Sequence, residues 1–273
     1  MKLKAYAKLN LGLAVTGKRS DGFHELDTLF ARIALHDVLE LQPKPQGITV
    51  SIEGADLPVD RGNLVYRAAD LYLQEAKCKE GISIHLRKQI PIAAGLGGGS
   101  SDAAAVLRGM AQLYPADLDL QSLAERLGSD VPFFVHDHAL AHGWGRGEQL
   151  KAIQPLKREL LLVNPGIHVS AKEAYVALKA FAQPLDLPQI LEALKNQTEP
   201  PYSNSLAAGV LGLYPEIARV LDVLRQAGLQ GVLMSGSGST CFGFARDGEE
   251  AKASARFIQQ AQPQWWVQVS HLY

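Results

Sequence analysis

The chain has 273 residues, with 27 lysines and arginines against 28 aspartates and glutamates and a formal charge of −1. At this length roughly three-quarters of the unfolded surface can be buried in one or two domains, so no metal or disulfide staple is required, and the balanced charge excludes a broad nucleic-acid-coating surface. Cys78 and Cys241 stand far apart at no metal-ligand or redox spacing, and both read as small apolar fillers of a protein in a reducing compartment.

Lys2 to Thr16 alternates strictly, with Leu3, Ala5, Ala7, Leu9, Leu11, Leu13 and Val15 on one face and Lys4, Tyr6, Lys8 and Asn10 on the other. Period two predicts a long half-buried strand, and it puts Lys8 and Asn10 on the same face about 7 Å apart. Gly17 to Gly22 is a turn by composition, and strands are expected at Val38 to Leu41 and Ile48 to Ile52. Asn63 reads as the cap of a helix reaching Ala76, and a strand follows from Ile82 to Ile90.

Next comes Pro91-Ile92-Ala93-Ala94-Gly95-Leu96-Gly97-Gly98-Gly99-Ser100-Ser101, then a helix with Ala103, Val106, Leu107, Met110 and Leu113 at three- and four-residue spacing. Glycines this dense let the main chain approach a ligand closely, and the helix start offers unpaired N–H groups, so the loop is built for phosphate. It is neither the common P-loop, since no Lys-Ser/Thr follows the glycines, nor the dinucleotide fingerprint, whose third glycine is replaced by Ser100. The competing reading is a plain turn in which Ser100 or Ser101 caps the helix.

A helix from Leu118 to Leu127 is expected to end at Gly128 in the left-handed conformation. Beyond it, Leu160 to Val163 reads as a buried strand. Helices are expected over Ala171–Phe181, Leu187–Asn196, Pro215–Ala227 and Glu249–Gln260, with a glycine-serine hairpin at Ser235–Ser239 and a last strand at Trp266–Val269. The mixture without regular alternation is α+β, with a domain change near residues 150 to 165. The uncharged stretch Gln226 to Ala245 is broken by five glycines and is no membrane span. No membrane partner is expected, and the expected location is the cytoplasm.

The loop at 91–101 resembles the phosphate loop of the GHMP kinase superfamily, Pro-x-x-x-Gly-Leu-Gly-x-x-Ser-Ser, throughout. Ala7-Lys8-Leu9-Asn10-Leu11 resembles the first motif of that family and Met234 to Thr240 the third. Gly17 to Leu26 and Gly128 to Phe134 resemble the branch that phosphorylates a cytidine-diphosphate-linked methylerythritol. The resemblance implies a two-domain fold: residues 1–155 as a domain like the second domain of ribosomal protein S5, and 156–273 as a ferredoxin-like domain. It also implies transfer of the ATP γ-phosphoryl group, carried by Mg²⁺-ATP, to the 2-hydroxyl of the methylerythritol in the non-mevalonate route to isopentenyl diphosphate. The partners are then ATP and that small molecule, without nucleic acid, in a monomer or weak homodimer.

By the same resemblance Asp130 orients and deprotonates the attacking hydroxyl, Lys8 stabilises charge on the reacting groups, and Asn10 holds acceptor hydroxyls. Residues 91–101 bind the ATP phosphates, Asn63 touches adenine, Phe23 and Tyr175 stack on cytosine, His24 reads its edge, and Ser170 adds a polar contact. Each has a plainer alternative: a turn acid for Asp130, a solvated strand lysine for Lys8, a helix cap for Asn63, helix packing for Tyr175. Magnesium ligands are not legible, Ser101 being one candidate; His136, Asp137, His138 and His142 read as a solvated turn rather than a zinc site. Tyr6, Ala171 and Ser205 depart from the family pattern. The alternative functions are another small-molecule GHMP kinase, such as one acting on homoserine, and a non-catalytic nucleotide-binding protein.

Overall fold

The computed structural model describes residues 1–273. The chain forms two compact units, and neither is a single stretch of sequence. One comprises 1–7, 35–92 and 97–138, the other 8–34, 93–96 and 139–273. The α+β expectation holds in both.

Strand β1 (Lys2–Lys18) and strand β2 (His24–Lys44) pair and run through both units. In the first unit the later part of β2 pairs antiparallel with β4 (Gly81–Arg87), and β3 (Ile48–Glu53) lies parallel to β4. Helix α1 (Leu64–Glu75) joins β3 to β4, as a parallel pair requires a crossover. Asn63 caps α1, its Oδ1 accepting from the N–H of Val65 at 2.9 Å. Helix α2 (Gly98–Leu113) packs on α1, α3 (Leu120–Leu127) and the short α4 (Val131–Val135). Its alanine-rich face is wholly buried, and Gly109 admits Leu3 and Leu41 where a side chain would clash.

In the second unit the early part of β2 pairs with β5 (Leu140–Gly145), which pairs with β6 (Gln149–Ile153). The remaining order is β7 (Glu159–Asn164), α5 (Ala171–Val176), α6 (Leu187–Asn196), α7 (Ala207–Leu213), α8 (Pro215–Gln226), β8 (Gln230–Met234), β9 (Cys241–Ala245), α9 (Gly248–Ala261) and β10 (Trp266–His271). The four strands form an antiparallel sheet in the order β10-β7-β9-β8. A strand, helices, two strands, a helix and a strand, with the first and last strands adjacent, is the ferredoxin-like arrangement. Ile217, Val220, Leu221, Leu224, Ala251 and Ile258 from α8 and α9 pack with Leu161 and Val163 of β7 to form its core.

Several expectations are corrected. β1 is not half-buried: from Ala7 to Val15 every residue is buried, so Lys8 and Asn10 are interior polar groups, at 4% and 3% exposure. β2 begins at His24, not Val38, because Leu29 to Ile33 is buried on both faces and shows no alternation. Gly128 ends α3 at φ 169°, extended and not left-handed. α5 stops at Val176 because the chain beyond it turns to β1, where the N–H of Ala182 bonds to Val15 O. Cys78 is partly exposed and donates to Glu80; only Cys241 is a core filler. The β5–β6 hairpin, α4 and α7 were not anticipated.

Candidate active site

The glycine loop adopts a positive φ at every second residue: Ala93 at 50°, Gly95 at 75° and Gly97 at 68°. Alternating hand turns successive N–H groups toward one side, a concavity suited to anions. Gly97 then caps α2 without any side-chain hydrogen bond, and Ser100 and Ser101 lie inside the first turn, so neither serine is the cap. The N–H groups of Gly98, Gly99 and Ser100 have no carbonyl to bond within the helix, and they stand at its positive end.

In the second unit, the loop segment Ala93–Leu96 is fastened by β1 and the β8–β9 hairpin. Lys8 N–H donates to Leu96 O at 3.0 Å, and Thr240 N–H to Ala94 O at 3.2 Å. Gly95 O accepts from both Lys8 Nζ at 3.2 Å and Ser235 Oγ at 3.0 Å. Ser235 Oγ also accepts the N–H of Asn10 at 3.2 Å. The approach is so close that a Cβ on Gly95 would lie 2.0 Å from Ser235 O.

Lys8 Nζ donates to Asn10 Oδ1 at 2.6 Å. An ammonium only donates, so Asn10 must turn its oxygen to Lys8 and its NH₂ elsewhere; Nδ2 donates to Thr28 Oγ1 at 2.8 Å, which donates to Gly12 O at 2.8 Å. Asn204, also buried, holds the hairpin from beneath, its Nδ2 donating to Met234 O at 2.8 Å and Gly236 O at 2.7 Å. Ser235, Thr28 and Asn204 were not singled out as site residues. The glycine-serine pattern at 234–240 contains Ser235 and the family-like segment at 204–207 contains Asn204, while no local pattern marks Thr28.

His24 and Tyr175 lie ring on ring, with centroids 4.8 Å apart and planes 16° from parallel. Tyr175 also packs against the ferredoxin-like core, so stacking and packing both describe it. Phe23 is half exposed, with the Arg146 guanidinium 5.1 Å from its ring centroid. The pair in contact is thus His24 with Tyr175, and Phe23 is paired with a cation that sequence reading did not single out. Ser170 caps α5 by accepting the N–H of Glu173. Asn63 spends its side chain on Val65 and Pro58.

In the first unit Asp130 occupies the cap position of α4, yet its carboxylate makes no capping bond. Beside the loop lies a buried cluster that went unread: Lys88 Nζ contacts Asp37 Oδ2 at 2.5 Å and Asp102 Oδ2 at 2.8 Å. Burial pushes the Asp102 carboxyl up to about 7, against the lowering pull of Lys88. The Lys88 ammonium is held above its ordinary value: burial opposes the charge, but Asp102 and Asp37 outweigh it. His136 bonds Gln121 and stacks on His138, while His142 pairs with Asp27; no three His, Cys, Asp or Glu side chains gather as a metal cage.

Two family profiles match the chain, "GHMP kinases N terminal domain" over residues 63–138 and "GHMP kinases C terminal" over 177–264. A 4-diphosphocytidyl-2-C-methyl-D-erythritol kinase of Deinococcus radiodurans is 47% identical over 271 residues, 96% of this chain and 90% of that one. The chain belongs to the 4-diphosphocytidyl-2-C-methyl-D-erythritol kinase family. A crystal structure of 4-(cytidine 5'-diphospho)-2C-methyl-D-erythritol kinase agrees with it at a TM-score of 0.90 and 43% identity, covering all of both chains. A homoserine kinase from Cytophaga hutchinsonii, covering 98% of this chain and 94% of its own, gives a TM-score of 0.67 at 18% identity and shares the fold alone. The fold is therefore the GHMP kinase fold, and within it the sequence sides with the family that acts on the cytidine-diphosphate-linked compound.

Proposed function

We propose that the protein transfers the γ-phosphoryl group of ATP to the 2-hydroxyl of 4-diphosphocytidyl-2-C-methyl-D-erythritol, giving the 2-phosphate and ADP. The observation that carries this reading is the 47% identity with a kinase of that name over nearly the full length of both chains. In the step, a bond forms between the acceptor oxygen and the γ-phosphorus. The bond from that phosphorus to the bridging oxygen of ADP breaks, and the hydroxyl proton passes to the Asp130 carboxylate. Such a transfer asks a protein chiefly to position the reactants and neutralise phosphoryl charge.

The N–H groups of Gly98, Gly99 and Ser100, orphan donors at the start of α2, suit the ATP phosphates, and so does the loop Pro91–Gly97 with its alternating positive φ. Lys8, held by Asn10 and Gly95, supplies a fixed ammonium for charge on the reacting oxygens. Mg²⁺ would be held mainly by phosphate oxygens and water, with the Ser101 hydroxyl, buried in the first turn of α2, as the candidate protein ligand. When bound it draws charge from the transferring group. His24 and Tyr175, with Phe23 and Ser170 nearby in sequence, supply the surface for the pyrimidine, and Asn63, whose side chain caps α1, would meet adenine only through groups left over from that cap. No helix is long and apolar enough to cross a membrane. The balanced charge supports small-molecule partners over nucleic acid, and we place the enzyme in the cytoplasm as a monomer or weak homodimer.

The test is ADP release with Mg²⁺-ATP and 4-diphosphocytidyl-2-C-methyl-D-erythritol beside homoserine and mevalonate. Turnover with the cytidine compound alone is expected, and turnover with homoserine alone would overturn the proposal.

A further inference from the structure

Residues 88–90 lead into the phosphate loop and residues 98–102 lead out of it. Lys88 Nζ and Asp102 Oδ2 meet at 2.8 Å across that neck, 14 residues apart in sequence. Asp37 completes the joint from β2: its Oδ2 contacts Lys88 Nζ, and its Oδ1 accepts the N–H groups of Gln89 at 2.5 Å and Ile90 at 2.9 Å. The three side chains are 5%, 0% and 3% exposed for Lys88, Asp37 and Asp102. Gly98 makes the joint possible, since a Cβ there would sit 3.2 Å from the Lys88 ammonium and 3.0 Å from Ile90.

One carboxylate suffices to neutralise one buried ammonium, and Asp37 already does so from β2. The second comes from the helix beyond the loop, and its Oδ1 is buried with no hydrogen-bond partner. Burying a surplus, half-satisfied acid costs stability, and apolar side chains would serve a core better. What Asp102 adds is a tie between the two ends of the loop. We propose that the Lys88–Asp102 pair is a clasp on the neck of the phosphate loop, making both residues positioning residues for ATP.

The proposal rests on the reading of this loop as the ATP site. With the neck closed, the first-turn N–H groups of α2 keep their directions before ATP arrives, so binding spends less on ordering the loop. Opening the clasp therefore weakens ATP and leaves the acceptor and the transfer step nearly untouched.

The experiment compares wild type with Asp102→Ala, which opens the clasp but leaves Lys88 paired to Asp37, and with Asp102→Asn, whose carboxamide oxygen still accepts from Lys88. Asp102→Ala is expected to raise the ATP KM about tenfold, with kcat and acceptor KM within about twofold, and to speed amide exchange across residues 91–101. Asp102→Asn restores both readouts. Should Asp102→Ala fail to fold, Lys88→Met/Asp102→Leu removes the pair without leaving an ammonium unpaired, and the same tenfold loss is expected. A folded variant with wild-type ATP KM and exchange overturns the clasp, and so does a loss shared equally by both substrates and kcat. Wild type that binds ATP but transfers nothing sinks the kinase reading alone, because the ATP dissociation constant and amide exchange still decide the clasp.

Discussion

The Lys8 ammonium and the Asn10 carboxamide oxygen lie 2.6 Å apart inside the protein, on alternate residues of one strand. Thr28 fixes the amide from the far side and Gly95 O takes a second ammonium hydrogen, so the charge is held in one place by groups that are themselves held. A fixed cation contributes most where negative charge develops during a reaction, since no reorganisation is needed then. Lys8→Met, nearly isosteric, is expected to cut kcat by a factor on the order of 10² or more while the far-UV spectrum is kept. Steady-state ADP release checks it, and a loss confined to KM would assign Lys8 to ground-state binding instead.

Gly95 couples the loop to the hairpin through its carbonyl, which accepts from Ser235 Oγ, and through close backbone approach. Its φ of 75° is unfavourable for a residue with a Cβ, and that Cβ would fall 2.0 Å from Ser235 O. Gly95→Ala must therefore shift either the loop or the hairpin, at a cost of about 3 kcal/mol or more. A thermal melt is expected to show a clear fall in Tm together with loss of ATP binding. Gly99→Ala, where the nearest atom to the new Cβ is Leu64 Cδ1 at 3.7 Å, is the control expected to melt close to wild type.

Much of this arrangement is legible in the sequence. The alternation in β1 puts Lys8 and Asn10 on one face, and the density of glycines at 95–99 marks the loop of alternating positive φ that opens α2. Helix α6, bounded by Asp186 and Asn196, matched its expected limits to the residue. The rest depends on contacts between distant segments. Period two implies one wet face, so the pattern describes β1 as half-exposed and gives no signal for the early part of β2, whereas both strands are covered on two sides. The Asp37–Lys88–Asp102 cluster joins residues from three separate segments, and no local pattern announces a long-range ion pair. Helix propensity carried α5 as far as Phe181, but a backbone bond from Ala182 to Val15 outweighs it.

The His24–Tyr175 stack restricts how a pyrimidine can be held. Rings 4.8 Å apart leave no place for a third ring, because a base between two plates needs their planes about 7 Å apart. On the proposed function, cytosine is therefore expected against an outer face of the pair and not between the two rings. Tyr175→Ala is expected to raise the acceptor KM roughly 5- to 100-fold, the range of a single lost base stack, and to leave the ATP KM as it is. Tyr175→Phe, which keeps the ring, stays near wild type. If Phe proves as damaging as Ala, the hydroxyl and not the stack carries the contact.

The raised Asp102 carboxyl makes folding more favourable in acid. Burial pushes it up to about 7 in the folded protein, whereas an aspartate in the unfolded chain ionises near ~3.9. Between about pH 4 and 7 the folded state keeps a proton that the unfolded chain has released, and folding is then favoured by acid. The contribution is complete below about pH 4 and is lost as pH rises through 7. Asp102→Asn cannot ionise, and its carboxamide keeps the Lys88 contact. The Tm of Asp102→Asn minus that of wild type is accordingly expected to grow from pH 5 to pH 8 and then level off, in melts at constant ionic strength. A difference that stays flat across that range would mean that Lys88 holds Asp102 ionised throughout, with the pair's attraction stronger than the penalty of burial.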